Sequence, residues 1–258
     1  MSRRDNNRLR IPLRNETEQM LMRKAGRIVA LALAKMGETI VPGITTGELD
    51  AVAEQTIRGL GAKPAFLGYN GFPATACISI NDEVVHGIPG PAILKDGDIV
   101  GIDLGAIVDG WYADSAFTFS VGNIDENVKN LLEIGQESLA IGIQAAKPGN
   151  SIRDIGAAIQ QFSESRGVSV VRELCGHGIG RHLHEEPQIP NYVTRGGNIE
   201  LRPGMTLAIE PMLNAGEPRV KIMDDNWTFV TVDGSLSVHY EHTVLITENG
   251  AEILTSLR

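Results

Sequence analysis

The chain has 258 residues, 42% hydrophobic and 21% charged, which is enough for a sizeable core in one large domain or two small ones. A net charge of −9 and a pI near 5.2 exclude a general nucleic-acid binder, which would present a basic face. Cys77 and Cys175 stand 98 residues apart, which indicates neither a disulfide framework nor a zinc knuckle. A reducing, cytoplasmic compartment is expected, because no apolar run reaches transmembrane length and the Arg-rich start lacks a signal peptide's apolar stretch.

Residues 1–10 read as a basic arm. The stretch MSRRDNNRLRIPLR carries five Arg against one Asp, the composition of a solvated terminus or of a segment that touches ribosomal RNA. A single catalytic domain is expected over 11–258. Asn15 and Glu18 make a capping box, and Leu21, Ala25, Ile28, Val29, Ala32 and Met36 recur at helical spacing until Gly37 and Pro42-Gly43 end the helix. Thr45 with Glu48 opens a second helix, with Leu49, Val52, Thr56 and Leu60 as its stripe and Gly61 as its stop. The loop LGYNGFP has glycines but neither the spacing nor the context of a phosphate cradle. His86, in NDEVVHGIPG, stands just before a Gly and a Pro that would end a strand.

The stretch GIDLGAIVDGWYADSAFTF predicts two strands, over 99–104 and 112–119, around the turn signal Asp109-Gly110. Asp103 and Asp114 interrupt these apolar runs, and an unpaired buried charge costs several kcal/mol. A turn centred on the Val108–Asp109 bond places 103 opposite 114, and one centred a residue later leaves them diagonal on a shared face. Only a turn centred on Asp109 itself would separate them. One Asp in such a strand reads as a solvated edge, whereas two on one face point to a cation between them.

A repeat extends this pattern. VPGITTGEL at 41–49 returns as KPGNSIRDI at 147–155, with Ser151 and Asp154 in the capping-box positions and Gly167 in that of Gly61. LKDGDIVGID at 94–103 matches LRPGMTLAIE at 201–210, which puts Glu210 on the position of Asp103. Each copy then continues to another acid in an apolar strand, Asp114 in WYADSAFTF and Glu241 in VHYEHTVLI. Two related halves, about 11–121 and 122–258, would close a sheet around a shared centre with helices outside. The four acids would then converge.

Four carboxylates suit two dications about 3.5 to 4 Å apart that share bridging ligands. A softer ligand is available in LCGHGIGRHLHEEPQIPNY, where Gly176 and Gly178 flank His177 and permit close backbone approach, with His184 seven residues on. His182, His239 and His242 read as surface or hydrogen-bonded structural residues. HExxH, GxSxG and Walker motifs do not occur.

The ordered set NGFPATACISINDEVVHGIP, GIDLGAIVDGWYADSAFTF, CGHGIGRHLHEEPQIPNY, LAIEPM and YEHTVLIT resembles the type I methionine aminopeptidases over roughly residues 11 to 256. The resemblance implies an α+β pita-bread metallopeptidase fold, with a pseudo-twofold antiparallel sheet and helices on its outer face. It implies two divalent ions (Co, Mn, Fe, Zn or Ni), with Asp103 serving one, His177 and Glu210 the other, and Asp114 and Glu241 bridging. Glu210 would shuttle a proton, His86 would stand beside the substrate and His184 would hydrogen-bond the scissile amide. Tyr69, Phe72, Cys77, Leu183 and Trp227 match the methionine side-chain pocket, although apolar positions taken alone would read as core. Leu174 replaces a usual aromatic, and Trp111-Tyr112-Ala113 replaces aromatic-His-Gly, which leaves pocket shape and metal preference open.

Only 25 residues separate His184 from Glu210, too few for the insert of type II enzymes. The implied activity is removal of the initiator methionine from nascent chains whose second residue is small, by a cytoplasmic monomer with a transient ribosome contact and no membrane or sequence-specific nucleic-acid partner. Prolidases and aminopeptidases P share the fold but usually carry an amino-terminal domain. A non-catalytic binding scaffold would typically have lost ligands, and a third alternative keeps the acids as a structural polar network.

Overall fold

A computed structural model describes residues 11–195 and 198–257, so the basic arm expected at 1–10 lies outside the described residues. Four helices carry the outer layer: α1 (Glu16–Thr39), α2 (Thr46–Gly59), α3 (Glu126–Ala145) and α4 (Ile152–Ser165). The capping boxes Asn15/Glu18, Thr45/Glu48 and Ser151/Asp154 all form, and each satisfies amide groups that a helix start leaves free. Two details differ from the sequence pattern. α1 runs through Gly37 to Thr39, because Gly37 packs flat against the Phe119 ring, where a Cβ would lie 2.6 Å from a ring carbon. α2 buries Thr46, Leu49, Ala53 and Ile57 and leaves Leu60 exposed, so its inward stripe is rotated from the expected one.

The repeat is visible in the backbone. α2 and α4 are each 14 residues long, and Gly61 and Gly167 follow them with the same φ of 80°. Isolated bridges Thr45↔Ile93 and Ser151↔Glu200 stand at matching places before each inner strand.

In the first half, Ile99–Val108 pairs antiparallel with Trp111–Ser120, with Ala76–Ile80 and with Lys63–Pro64. Val100, Ile102, Leu104, Ala106 and Val108 pack with residues of α1 and α2 in one apolar cluster. Alternation then turns Asp103 and Ile107 to the opposite face. In the second half, Thr206–Ile209 lies between His242–Thr247 and Gly176–Gly178, and its Leu207 and Ile209 pack with Leu139 of α3 and Ile155 and Ile159 of α4.

The halves join along a seam. The Glu241 amide donates to the Ala116 carbonyl at 2.9 Å, and the Tyr240 hydroxyl donates to the Thr118 carbonyl at 3.0 Å. The inner faces of both halves meet there, with the helices outside.

Candidate active site

Asp109 (φ 50°) and Gly110 (φ 79°) form a two-residue turn with both residues left-handed, the geometry that matches strand twist and that an Asp-Gly pair favours. It sets Gly105 opposite Asp114 and Asp103 opposite Ala116, so the two aspartates are diagonal neighbours on one face. In the second half, Ile209 pairs with His242 and Met212 with His239, which sets Glu210 opposite Glu241 in the same register. Unlike the aspartates, these glutamates lie in breaks between strands rather than inside them. Glu241 lies at the seam, two residues before Thr243, whose hydroxyl stands 2.9 Å from Asp114 Oδ1 and 2.8 Å from its carbonyl and accepts the Asp114 amide at 3.1 Å.

His177 enters from the strand Gly176–Gly178. A Cβ on Gly176 would meet the Ala208 carbonyl oxygen at 2.4 Å and one on Gly178 the Glu186 oxygen at 2.3 Å, so only glycine lets neighbouring backbone close around this histidine. Its Nδ1 lies 3.0 Å from the Gly178 carbonyl, which can only accept, so Nδ1 carries the proton and Nε2 is a bare lone pair. That lone pair faces Asp114 Oδ2 and Glu210 Oε1, each at 3.5 Å.

Acceptors facing acceptors need a cation. Burial, then repulsion from Asp114, pushes Asp103 well above the usual carboxylate range. Burial and the neighbouring acids do the same to Glu210 and Glu241, while burial raises Asp114 only to about 6, because the Thr243 hydroxyl stabilises its charged form. Asp103 Oδ1 is buried without a hydrogen-bond partner. Among the described residues, Asp114, His177 and Glu241 form a potential metal-holding group, with one ligand atom from each within 4.8 Å of the others. Four oxygen donors and one imidazole nitrogen fit divalent metal.

These groups floor a cavity of about 200 Å³. It is lined by all twelve residues named from the sequence, and also by Phe66 and Asn70. The wall is apolar: Phe72 meets Trp227 edge-on with ring centroids 5.1 Å apart, and Leu183 and Cys77 are buried beside them. Cys77 pairs in register with Asp103, and burial first, then that acid, holds its thiol well above the ordinary range, so it serves as a neutral apolar group. His86 takes a left-handed backbone (φ 61°), a costly conformation outside glycine, and packs edge-on to Phe229. Burial, then His184, lowers His86 to about 4; burial, then His177, lowers His184 to about 4. Both rings are therefore neutral at pH 7.

Two contacts escaped the sequence pattern. His239 Nε2 is buried without a hydrogen-bond partner, 3.4 Å from Glu210 Oε2, although His239 reads as structural. Arg14, buried ahead of α1, pairs with Glu185, which also accepts the amides of Arg181 and His182 and so pins the loop that carries Leu183 and His184. The strand register and an ion pair spanning 171 residues create these contacts, and no local motif announces them. Of the positions that depart from the family pattern, Leu174 packs away from the cavity beside Val84 and Met212, and Trp111 is buried against Arg14 and Arg181.

The sequence matches the model of metallopeptidase family M24 over residues 20–248. This chain belongs to metallopeptidase family M24. Family membership agrees with the donor set in assigning divalent metal to the floor of the cavity. The chain is 54% identical to methionine aminopeptidase 1 of Bacillus subtilis, over 91% of this chain and 95% of that protein. It is 52% identical to the methionine aminopeptidase of Clostridium perfringens, over 96% and 100%. The M24 fold is equally clear: the crystal structure of methionine aminopeptidase from Thermotoga maritima superposes with a TM-score of 0.94 at 48% identity, covering 96% of this chain and all of that one. Prolidase from Pyrococcus furiosus superposes with a TM-score of 0.77 at 28% identity, and only 66% of its length is matched.

Proposed function

We propose that this M24 chain is a methionine aminopeptidase that hydrolyses the first peptide bond of nascent proteins whose second residue is small. One observation carries the reading: four carboxyl side chains and one imidazole, all able to ligate metal, floor a cavity whose wall is apolar and built by Phe72, Leu183 and Trp227. A donor set alone would fit many metallopeptidases, and the wall suits an unbranched, polarisable side chain. The names and full-length coverage of the relatives favour methionine over a residue before proline.

Asp103, Asp114, His177, Glu210 and Glu241 would hold two ions, with Asp114 and Glu241 shared between them. Bound divalent metal would lower the pKa of water and polarise the carbonyl under attack. Glu210 takes a proton from the attacking water and delivers it to the leaving amine. His184 and His86, both lining the cavity, donate hydrogen bonds where charge develops on the carbonyl oxygen. Closed pocket walls bind methionine, and the substrate's free amino group is held next to the acids, which restricts cleavage to the first residue.

We assign the chain to the cytoplasm as a monomer that meets ribosomes transiently; among the described residues no helix is long and apolar enough to cross a membrane. Deleting residues 2–10, which spares buried Ile11 and Arg14, should weaken ribosome co-sedimentation. The deciding assay measures amino-acid release from Met-Ala-Ser, Leu-Ala-Ser and Ala-Pro-Ala by metal-stripped protein supplied with Mn, Fe, Co, Ni or Zn. Metal-dependent release of Met alone is expected, and it also ranks the ions. Cleavage before Pro would move the chain to the prolidase branch, and silence with every metal would refute a peptidase.

A further inference from the structure

Tyr69 is more than a wall of the side-chain pocket. Its hydroxyl oxygen lies 2.8 Å from His184 Nδ1, with the two ring centroids 5.3 Å apart. Such a bond has two forms. Either the phenol donates to a bare Nδ1, which leaves hydrogen on Nε2, or a protonated Nδ1 donates to the phenol, which leaves Nε2 as a lone pair.

The surroundings of the ring separate them. On the far side, His184 lines the cavity with Asp114, Glu210 and Glu241, and its ring lies 4.4 Å from that of His177. With Nδ1 held by Tyr69, Nε2 is the nitrogen left for the cavity. An N–H is favoured among carboxylate oxygens, and a lone pair is repelled.

We propose that Tyr69 is a positioning residue: its hydroxyl donates to His184 Nδ1 and fixes the neutral imidazole as the tautomer with hydrogen on Nε2, so that a donor meets the substrate carbonyl. The role in turnover rests on the peptidase reading, but the tautomer does not. A phenyl ring would fill the pocket wall equally well, so the hydroxyl has a function that the wall does not explain. Backbone geometry presents it, since Gly68, Asn70 and Gly71 are all left-handed around the tyrosine.

The test uses full-length protein labelled with ¹⁵N-histidine, metal-free and zinc-loaded, with the His184 signals identified by their loss in His184→Gln. Wild type should show Nδ1 at a lone-pair shift and Nε2 at an N–H shift, and Tyr69→Phe should average or invert them. In peptide assays Tyr69→Phe should lower kcat about 10- to 100-fold, because the oxyanion donor is present only part of the time. KM and the preference for Met over Leu should stay within about 3-fold, since the ring remains in the wall. A protonated Nδ1 in wild type, unchanged shifts in Tyr69→Phe, or a raised KM with unchanged kcat would overturn the proposal. If wild type releases no methionine with any metal, the peptidase reading fails, and the nitrogen shifts still decide the tautomer.

Discussion

Asp114 shows how one residue's setting determines what it can do. It is 2% exposed, and the group that tempers its burial is the Thr243 hydroxyl across the seam between the halves. Replacing Thr243 with Val keeps the shape and removes that hydroxyl. The Asp114 carboxyl should then hold its proton more tightly still, and metal must displace it. Titration calorimetry on Thr243→Val should show metal affinity lowered about 10- to 100-fold, as for other groups that support a ligand. A stability loss of about 1 to 3 kcal/mol should accompany it, since the Asp114 amide loses its acceptor. Unchanged affinity would mean that the bond across the seam is incidental. Asp103 and Asp114 were legible because a carboxylate in an apolar strand is anomalous wherever it occurs. His239 was not, because its meeting with Glu210 depends on a pairing register that no local pattern encodes.

At the scale of elements, the helix starts were the most readable feature. A capping box is chemistry confined to four residues, so Asn15, Thr45 and Ser151 announce their helices without tertiary information. Helix ends and faces depend on what lies against them. Gly37 reads as a stop, yet it is a contact point for Phe119. The strand Gly176–Gly178 shows the same principle from the other side, since its glycines admit backbone that any side chain would push away. In Gly178→Ala the new Cβ would meet the Glu186 oxygen, a backbone atom that cannot swing aside. The pairing of Gly176–Gly178 with Glu185–Ile189 must shift, and His177 with it. Urea unfolding should register a loss of about 1 to 3 kcal/mol, and bound metal should fall below the wild-type stoichiometry. Wild-type stoichiometry at full stability would show that the strand tolerates the methyl and that glycine is not required there.

For the whole molecule, the site couples metal, protons and stability. A carboxyl whose pKa is raised on folding binds its proton more tightly in the native state, so Asp103, Asp114, Glu210 and Glu241 make metal-free protein gain stability as pH falls, with Asp114 doing so as pH falls through about 6 towards its ordinary value of 3.8. The buried histidines act oppositely. His86, His177, His184 and His242, lowered to about 4, let the unfolded chain take protons first, so stability is lost as pH falls from 6.5 towards 4. Metal requires the ionised acids and the bare His177 nitrogen, so binding must release protons and weaken as pH drops. A metal at 100 times its Kd adds about 2.7 kcal/mol, which for a chain of this size raises Tm by about 5 to 10 °C. That gap between loaded and metal-free protein should be widest near pH 7.5 and close towards pH 5, with calorimetry in buffers of different ionisation heat registering proton release at the higher pH. A gap independent of pH, or binding without proton release, would show that the four acids are already charged without metal. The convergence of the two halves would then have to be stabilised by something other than a shared cation.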